Sequence, residues 1–186
     1  MAVELDTRID LYTSVAEETS AAVIRRYSTS FGLASRLLPP RMRTHIRNFY
    51  ALVRLADEIV DGVASEAGVS NTEAGTMLDA LEADTKRAMV VGYSTNLIVH
   101  AFAHSARAVG VGEDLVTPFF HSMRMDLTET THTPESFAHY VYGSAEVVGL
   151  MCLQAFLEGE SVSKKDKTTM VAGARALGAA FQKVNF

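Results

Sequence analysis

The segment RLADEIVDG, which begins at Arg54, places two carboxylates four positions apart in an otherwise apolar stretch. On a helical wheel with 3.6 residues per turn, Asp57 falls near the middle of an apolar stripe that includes Phe49 and Val53. Asp61 follows one turn later and Arg54 precedes by one turn, both at the edge of the stripe. The opposite side of this predicted helix is also apolar, which favours burial on most of its circumference.

Two aspartates on a buried stripe require compensation, because unpaired buried ions cost several kcal/mol each even after relaxation. They also repel each other, and Arg54 can neutralise only one of them. Divalent cations explain the pair best, since carboxylate oxygens suit Mg²⁺, which completes its shell with water and phosphate oxygens. The spacing therefore suggests a phosphate or diphosphate substrate beside Arg54. The alternative is a solvent-facing helix end, where Asp57 and Asp61 only flank a loop.

Composition limits the remaining function classes. The 186 residues are 48% hydrophobic and 21% charged, which is typical of one globular domain with a sizeable core. The net charge of -5 argues against a nucleic-acid surface. Residues 25–54 contain seven arginines, which either hold an anion or form a solvated basic face. The first residues, MAVELDTRID, lack the apolar core of a signal peptide, so we expect a cytoplasmic protein.

Helical periodicity runs through the chain, without alternating strand patterns. Ser70 with Glu73, and Thr133 with Pro134, are typical of helix starts, and residues 62–70 are expected to form a loop. Pro118 is placed in the first turn of its helix. Predicted helices cover about residues 10–26, 40–61, 71–91, 94–109, 117–127, 134–158 and 164–185. The sequence predicts a single all-α domain over residues 1–186.

Three segments resemble the squalene/phytoene synthase family. They are YSTSFGLASRLLPPRMRTHIRNFYALVRLADEIVDG from Tyr27, YVYGSAEVVGLM from Tyr140, and LGAAFQKVN from Leu177. The resemblance implies the isoprenoid synthase helical bundle around a central cavity. It also implies head-to-head condensation of two prenyl diphosphates through a cyclopropyl intermediate. The segments ASRLLPP and ADEIVDG resemble those of bacterial carotenoid enzymes, which favours phytoene formation from two geranylgeranyl diphosphates. Squalene or dehydrosqualene synthesis from farnesyl diphosphate, a cyclase, and a non-catalytic assembly or binding protein remain alternatives.

Site residues follow from the same resemblance. It implies that Asp57 and Asp61 bind Mg²⁺, or Mn²⁺, bridging to a substrate diphosphate that Arg54 contacts. It implies further substrate contacts from polar and aromatic side chains, namely Tyr27, Ser28, Thr29, Ser30, Phe31, Leu33, Tyr50, Tyr142 and Val148. In the second motif Gln182 contacts substrate and Asn185 binds metal, and their spacing of three places them on one helical face. Asp126, in MRMDL, is assigned only a structural or rim role.

The resemblance is imperfect at several positions. Glu58 stands where many relatives have aspartate, Thr29 where a basic residue is frequent, and Glu146 where glycine is usual. The second motif should continue with arginine and aspartate beyond Asn185, so the chain is expected to be part of a longer protein. We expect these 186 residues alone to be inactive and to self-associate, and the longer protein to contact the inner face of the membrane peripherally when it releases product.

Overall fold

The computed structural model describes residues 7–129 and 131–185, with the side chain of Asn185 outside the described part. Regular secondary structure in these residues is entirely helical, as predicted. The helices are α1 Arg8–Tyr27, α2 Thr29–Ser35, α3 Pro40–Val60, α4 Val63–Glu66, α5 Asn71–Val91, α6 Leu97–Val109, α7 Glu113–Thr128, α8 Pro134–Val141, α9 Val147–Phe156 and α10 Lys164–Asn185. A π-helical turn, Tyr142–Glu146, joins α8 to α9.

Local capping signals account for the helix starts that were predicted best. Ser70 and Glu73 form a reciprocal capping box at α5, and Gly92 ends that helix in the left-handed conformation with φ 80°. Thr133 caps α8, although its reciprocal partner is Ser136. Pro40 occupies the first position of α3, where a missing N–H costs nothing.

Several predicted boundaries were wrong. Residues 62–70, expected to be a loop, contain the single turn α4. The polar segment after Tyr27 forms α2, because the Ser28 hydroxyl accepts the Phe31 N–H and caps a short helix. Helix α6 begins at Leu97 rather than near Ser94. The side-chain oxygen of Asn96 accepts hydrogen bonds from the backbone N–H groups of Ile98 and Val99 and so caps the helix.

The later helices differ in two further ways. Helix α7 begins at Glu113, so Pro118 lies inside it and not in its first turn. The predicted long helix over residues 134–158 is interrupted by the π-helical turn. At this turn Gly143 packs directly on α7, because a Cβ there would overlap Ser122 Oγ and the Pro118 carbonyl oxygen. The π-helical turn therefore occurs where the chain packs closely against α7, and local helix propensity does not predict it.

The main core lies between α3, α5, α6, α7 and α9. Its largest buried side chains include Phe49, Phe102, Phe119 and Phe120, which are at most 2% exposed. Helix α1 covers α3 and α6, while α10 packs on the π-helical turn and α9. In the parts of the chain that the structure describes, no helix combines the length and apolar character needed to cross a bilayer.

Gly143→Ala should destabilise the fold by about 1–3 kcal/mol, because the Pro118 carbonyl is backbone and cannot turn aside. Gly173→Ala is the matched control, since a Cβ in that part of α10 meets no atom within 4 Å. Alanine there should be neutral or stabilise by up to about 1 kcal/mol. Thermal unfolding of both variants measures the difference, and equal melting temperatures would contradict the packing argument.

Candidate active site

Several acidic side chains lie near one another at the carboxyl-terminal end of α3. Burial and, to a smaller extent, the carboxylates of Asp126, Asp61 and Glu58 together raise the pKa of Asp57 to about 7 against the opposing effect of Arg54. Asp126 comes from α7, so acidic groups of two helices face one another. Asp57 therefore lies where its own ionisation is opposed both by loss of water and by like charge.

Tyr140 connects this acidic group to the last helix. Its hydroxyl is hydrogen-bonded to the Asp126 carboxylate, and burial raises the pKa of both side chains. The Gln182 side-chain amide on α10 donates to the Tyr140 hydroxyl oxygen at 3.4 Å. The carboxylates of Asp57 and Asp61 also raise the pKa of Tyr140. The structure thus brings α3, α7, α8 and α10 together around one polar cluster.

The backbone of Tyr140 is held at the start of the π-helical turn. The Ser122 hydroxyl donates to the Tyr140 carbonyl at 3.2 Å, and the Ser144 hydroxyl donates to the same carbonyl at 2.7 Å. Helix α10 approaches the turn closely, since a Cβ at Gly178 would lie 2.6 Å from the Ala145 carbonyl oxygen. Short π-helical turns frequently occur at functional sites, where they redirect side chains.

Arg54 lies beside the acidic cluster, but its guanidinium contacts Glu58 and the Tyr27 ring and not Asp57. Its guanidinium forms an ion pair with Glu58 one turn later, and its Cζ lies 4.6 Å from the centroid of the Tyr27 ring. The Arg54 charge also lowers the pKa of Asp57. One arginine therefore interacts with a carboxylate, an aromatic face and the field of a second carboxylate.

The other predicted substrate residues near α2 surround Tyr50. The Ser28 side chain hydrogen-bonds with that of Tyr50, and the rings of Phe31 and Tyr50 lie 6.2 Å apart. Phe31 and Leu33 are 59% and 63% exposed, and Thr29 and Ser30 are exposed in the first turn of α2. These residues form an open apolar and hydroxyl-rich surface beside Arg54.

The remaining predicted residues lie on the π-helical turn and after it. Tyr142 faces the Arg175 guanidinium on α10 at 5.3 Å, and Val148 packs against the main core. Glu146, the unusual glutamate of this segment, accepts from Arg175 at 2.7 Å. This ion pair explains how the segment accommodates a carboxylate. The predicted ligand role of Asn185 concerns a side chain outside the described residues.

Two members of the cluster were not predicted as site residues. Asp126 received only a structural or rim role, and Tyr140 received none. The only indication in the sequence was that Asp126 and Tyr140 belong to the motifs MRMDL and YVYG. These motifs meet because α7 packs against α8. Only tertiary packing shows that Asp126 and Tyr140 face Asp57.

The donor set fits Mg²⁺ held partly by substrate. Over the described residues, no three His, Cys, Asp or Glu side chains are grouped so that they could hold a metal ion by themselves. Mg²⁺ in phosphate-handling sites usually takes one or two protein carboxylates and fills its shell with water and phosphate oxygens. The partly buried Asp57, whose negative charge Arg54 only partly offsets, is a carboxylate that could take this role.

The raised pKa of Asp57 predicts a distinctive pH dependence without divalent metal. Between its ordinary pKa of 3.8 and about 7, the folded protein keeps a proton that the unfolded chain has released. The free energy of unfolding should therefore fall as pH rises through this window and then level off. Asp57→Asn should remove this fall and stabilise the protein above pH 7 by on the order of 1–4 kcal/mol. Denaturant unfolding in EDTA from pH 4 to 8 measures both curves, and superimposable curves would contradict the assignment.

Comparison with known proteins identifies the family. The family model described as squalene/phytoene synthase matches residues 24–186. A 15-cis-phytoene synthase from Paracoccus sp. is 32% identical over 145 residues, covering 72% of this chain and 44% of that protein. Phytoene synthase 3, chloroplastic, of Zea mays is 30% identical over 165 residues, covering 88% of this chain and 37% of that protein.

A solved structure gives the fold independently. The crystal structure of a dehydrosqualene synthase in complex with ligand superposes with a TM-score of 0.73 at 22% identity. The superposition covers 93% of this chain and 56% of that one, which shows the all-α isoprenoid synthase fold. The chain spans less than half the length of the two curated relatives that it matches. It belongs to the squalene/phytoene synthase family.

Proposed function

We propose that the protein to which this chain belongs condenses two prenyl diphosphates head to head, and that its substrates are two geranylgeranyl diphosphates, giving phytoene. The observation that carries the proposal is the acidic cluster at the end of α3, where the partly buried Asp57 lies in the field of Asp126, and Asp126 is linked through Tyr140 to Gln182. Family membership supplies the reaction class, and the phytoene synthases among the relatives favour the longer substrate.

Asp57 and Asp61 are the residues that would hold Mg²⁺, since both are oxygen donors: Asp57 lies in the last turn of α3, and Asp61 is the exposed C-cap residue directly after it. Bound Mg²⁺ would neutralise negative charge that develops on the departing diphosphate. Arg54 adds a fixed positive charge beside them, and its planar guanidinium suits bidentate contact with phosphate oxygens. The pairing of Tyr140 with Asp126 holds the neighbouring polar groups in one orientation before substrate arrives.

The reaction also needs a dry apolar wall, because loss of diphosphate leaves an allylic cation that water would capture. Phe31 and Tyr50 present adjacent rings 6.2 Å apart beside Arg54. Aromatic faces attract cations through their quadrupole, so these rings can stabilise the allylic cation, and a bound prenyl chain would cover the exposed face of Phe31. Their position next to the acidic cluster is consistent with a prenyl chain extending away from its diphosphate.

Product analysis tests the proposed reaction. The complete gene product, incubated with Mg²⁺ and labelled farnesyl or geranylgeranyl diphosphate, should convert the geranylgeranyl substrate to phytoene. Asp57→Asn should lower turnover at least about 10²-fold, which is the scale for loss of a charge-stabilising group. Squalene or dehydrosqualene from the farnesyl substrate would instead identify the shorter-chain reaction, and no hydrocarbon from either substrate would contradict the proposal.

Metal binding should be visible without turnover. Because Mg²⁺ would bind the folded protein together with diphosphate, Mg²⁺ at 10 to 100 times its dissociation constant, with inorganic pyrophosphate present, should add about 1–3 kcal/mol to the free energy of unfolding. Asp57→Asn and Asp61→Asn should lose most of this gain. Asp79→Asn is a suitable control, since that aspartate pairs with Arg124 on the α5–α7 surface. Equal Mg²⁺ stabilisation in all three variants would contradict the assigned ligands.

A further inference from the structure

Glu58 is a buried glutamate whose partner is the arginine of the proposed diphosphate site. Its side chain is 13% exposed, and one carboxylate oxygen meets the Arg54 guanidinium. Its other oxygen, Oε2, has no hydrogen-bonding partner among the described residues. Both side chains line a cavity of about 110 Å³ between α1, α3 and α6, together with Tyr27. Because an ion pair that is largely withdrawn from water is costly to break, Glu58 and Arg54 constrain each other's orientation.

Arg54 could form an ion pair with either of two carboxylates on its own helix. Asp57 lies three positions later and Glu58 four, and both spacings allow ion pairs on an α-helix. The guanidinium lies with Glu58 and against the Tyr27 ring, while it acts on Asp57 only through its field. The longer glutamate side chain therefore holds Arg54 on the Tyr27 side of the helix.

We propose that Glu58 is a positioning residue that holds the Arg54 guanidinium against Tyr27, so that Arg54 is ready for a substrate diphosphate and does not close onto Asp57. This inference rests on the proposed function. Without Glu58, the nearest carboxylate for Arg54 is Asp57. An Arg54–Asp57 ion pair would occupy a phosphate-binding arginine and a metal-binding carboxylate at the same time. Holding a binding group in its working orientation lowers the ordering cost of binding.

The direction in which anion affinity changes when Glu58 is replaced distinguishes a positioning role from a purely electrostatic one. If Glu58 acted only through its negative charge, its removal would strengthen binding of an anion nearby. If it positions Arg54, its removal should weaken that binding. Inorganic pyrophosphate with Mg²⁺ is a suitable probe, because it carries the diphosphate chemistry and needs no turnover.

The experiment measures pyrophosphate affinity by titration calorimetry in the presence of Mg²⁺. Glu58→Gln, which keeps the size and removes the charge, should weaken binding about 5- to 20-fold, the scale of one charge-assisted contact. Glu58→Asp keeps the charge but shortens the reach, and should weaken binding to an intermediate extent. In an Arg54→Ala background, Glu58→Gln should have no further effect, because a residue that acts through Arg54 has nothing left to position.

Glu82→Gln is the matched control. Glu82 is 12% exposed, lies on α5, and pairs both with Lys86 four positions later and with Arg124 of α7. Its variant should keep pyrophosphate affinity while showing a similar structural cost. Unchanged or tighter binding in folded Glu58→Gln and Glu58→Asp, with Arg54→Ala weakened, would overturn the positioning role alone. Unchanged binding in Arg54→Ala and Asp57→Asn as well would overturn the proposed function.

Discussion

The repulsion among carboxylates at the end of α3 is the interaction on which the rest of the site depends. Asp57 is withdrawn from water and faces Asp61 and Asp126, so burial and like charge both oppose its ionisation. Arg54 offsets only part of this, since its guanidinium is paired with Glu58. The negative charge of such a cluster must be neutralised by a bound proton or a cation. A site that binds a divalent metal together with diphosphate meets this requirement with the metal ion.

The surrounding helices hold this unfavourable arrangement in place. Two hydroxyls fix the Tyr140 carbonyl where the π-helical turn begins, and the close approach at Gly178 lets α10 bring Gln182 to the Tyr140 hydroxyl. Asp57, Asp126, Tyr140 and Gln182 therefore lie on helices whose own packing determines their orientation, and Asp61 follows the end of α3 directly. Preorganisation of this kind is what binding and orienting two diphosphates requires.

Local signals in the sequence were sufficient for the helical class and for the capped starts of α5 and α8. The stripe predicted to be buried was placed wrongly, because the buried face of α3 runs through His45, Leu52 and Ala56, and Asp57 beside it is only partly buried. Local signals were insufficient where tertiary packing decides. Asp126 and Tyr140 are fourteen positions apart, and they meet only because α7 packs against α8. Likewise, the π-helical turn occurs where Gly143 packs against α7, and no periodicity shows that contact. Local capping rules also placed the start of α7 too late, because Pro118 was taken as a first-turn residue and the helix begins at Glu113.

The central claim is that α3, α7, α8 and α10 surround a single metal-diphosphate site. Mn²⁺ in place of Mg²⁺ tests it most directly, because a bound paramagnetic ion broadens nuclear magnetic resonance signals from nearby residues. With pyrophosphate present, stoichiometric Mn²⁺ should broaden the amide signals of Asp57, Asp61, Asp126, Tyr140 and Gln182 together. Broadening confined to the exposed acidic surface of α5, or sparing α10 while affecting α3, would contradict the account.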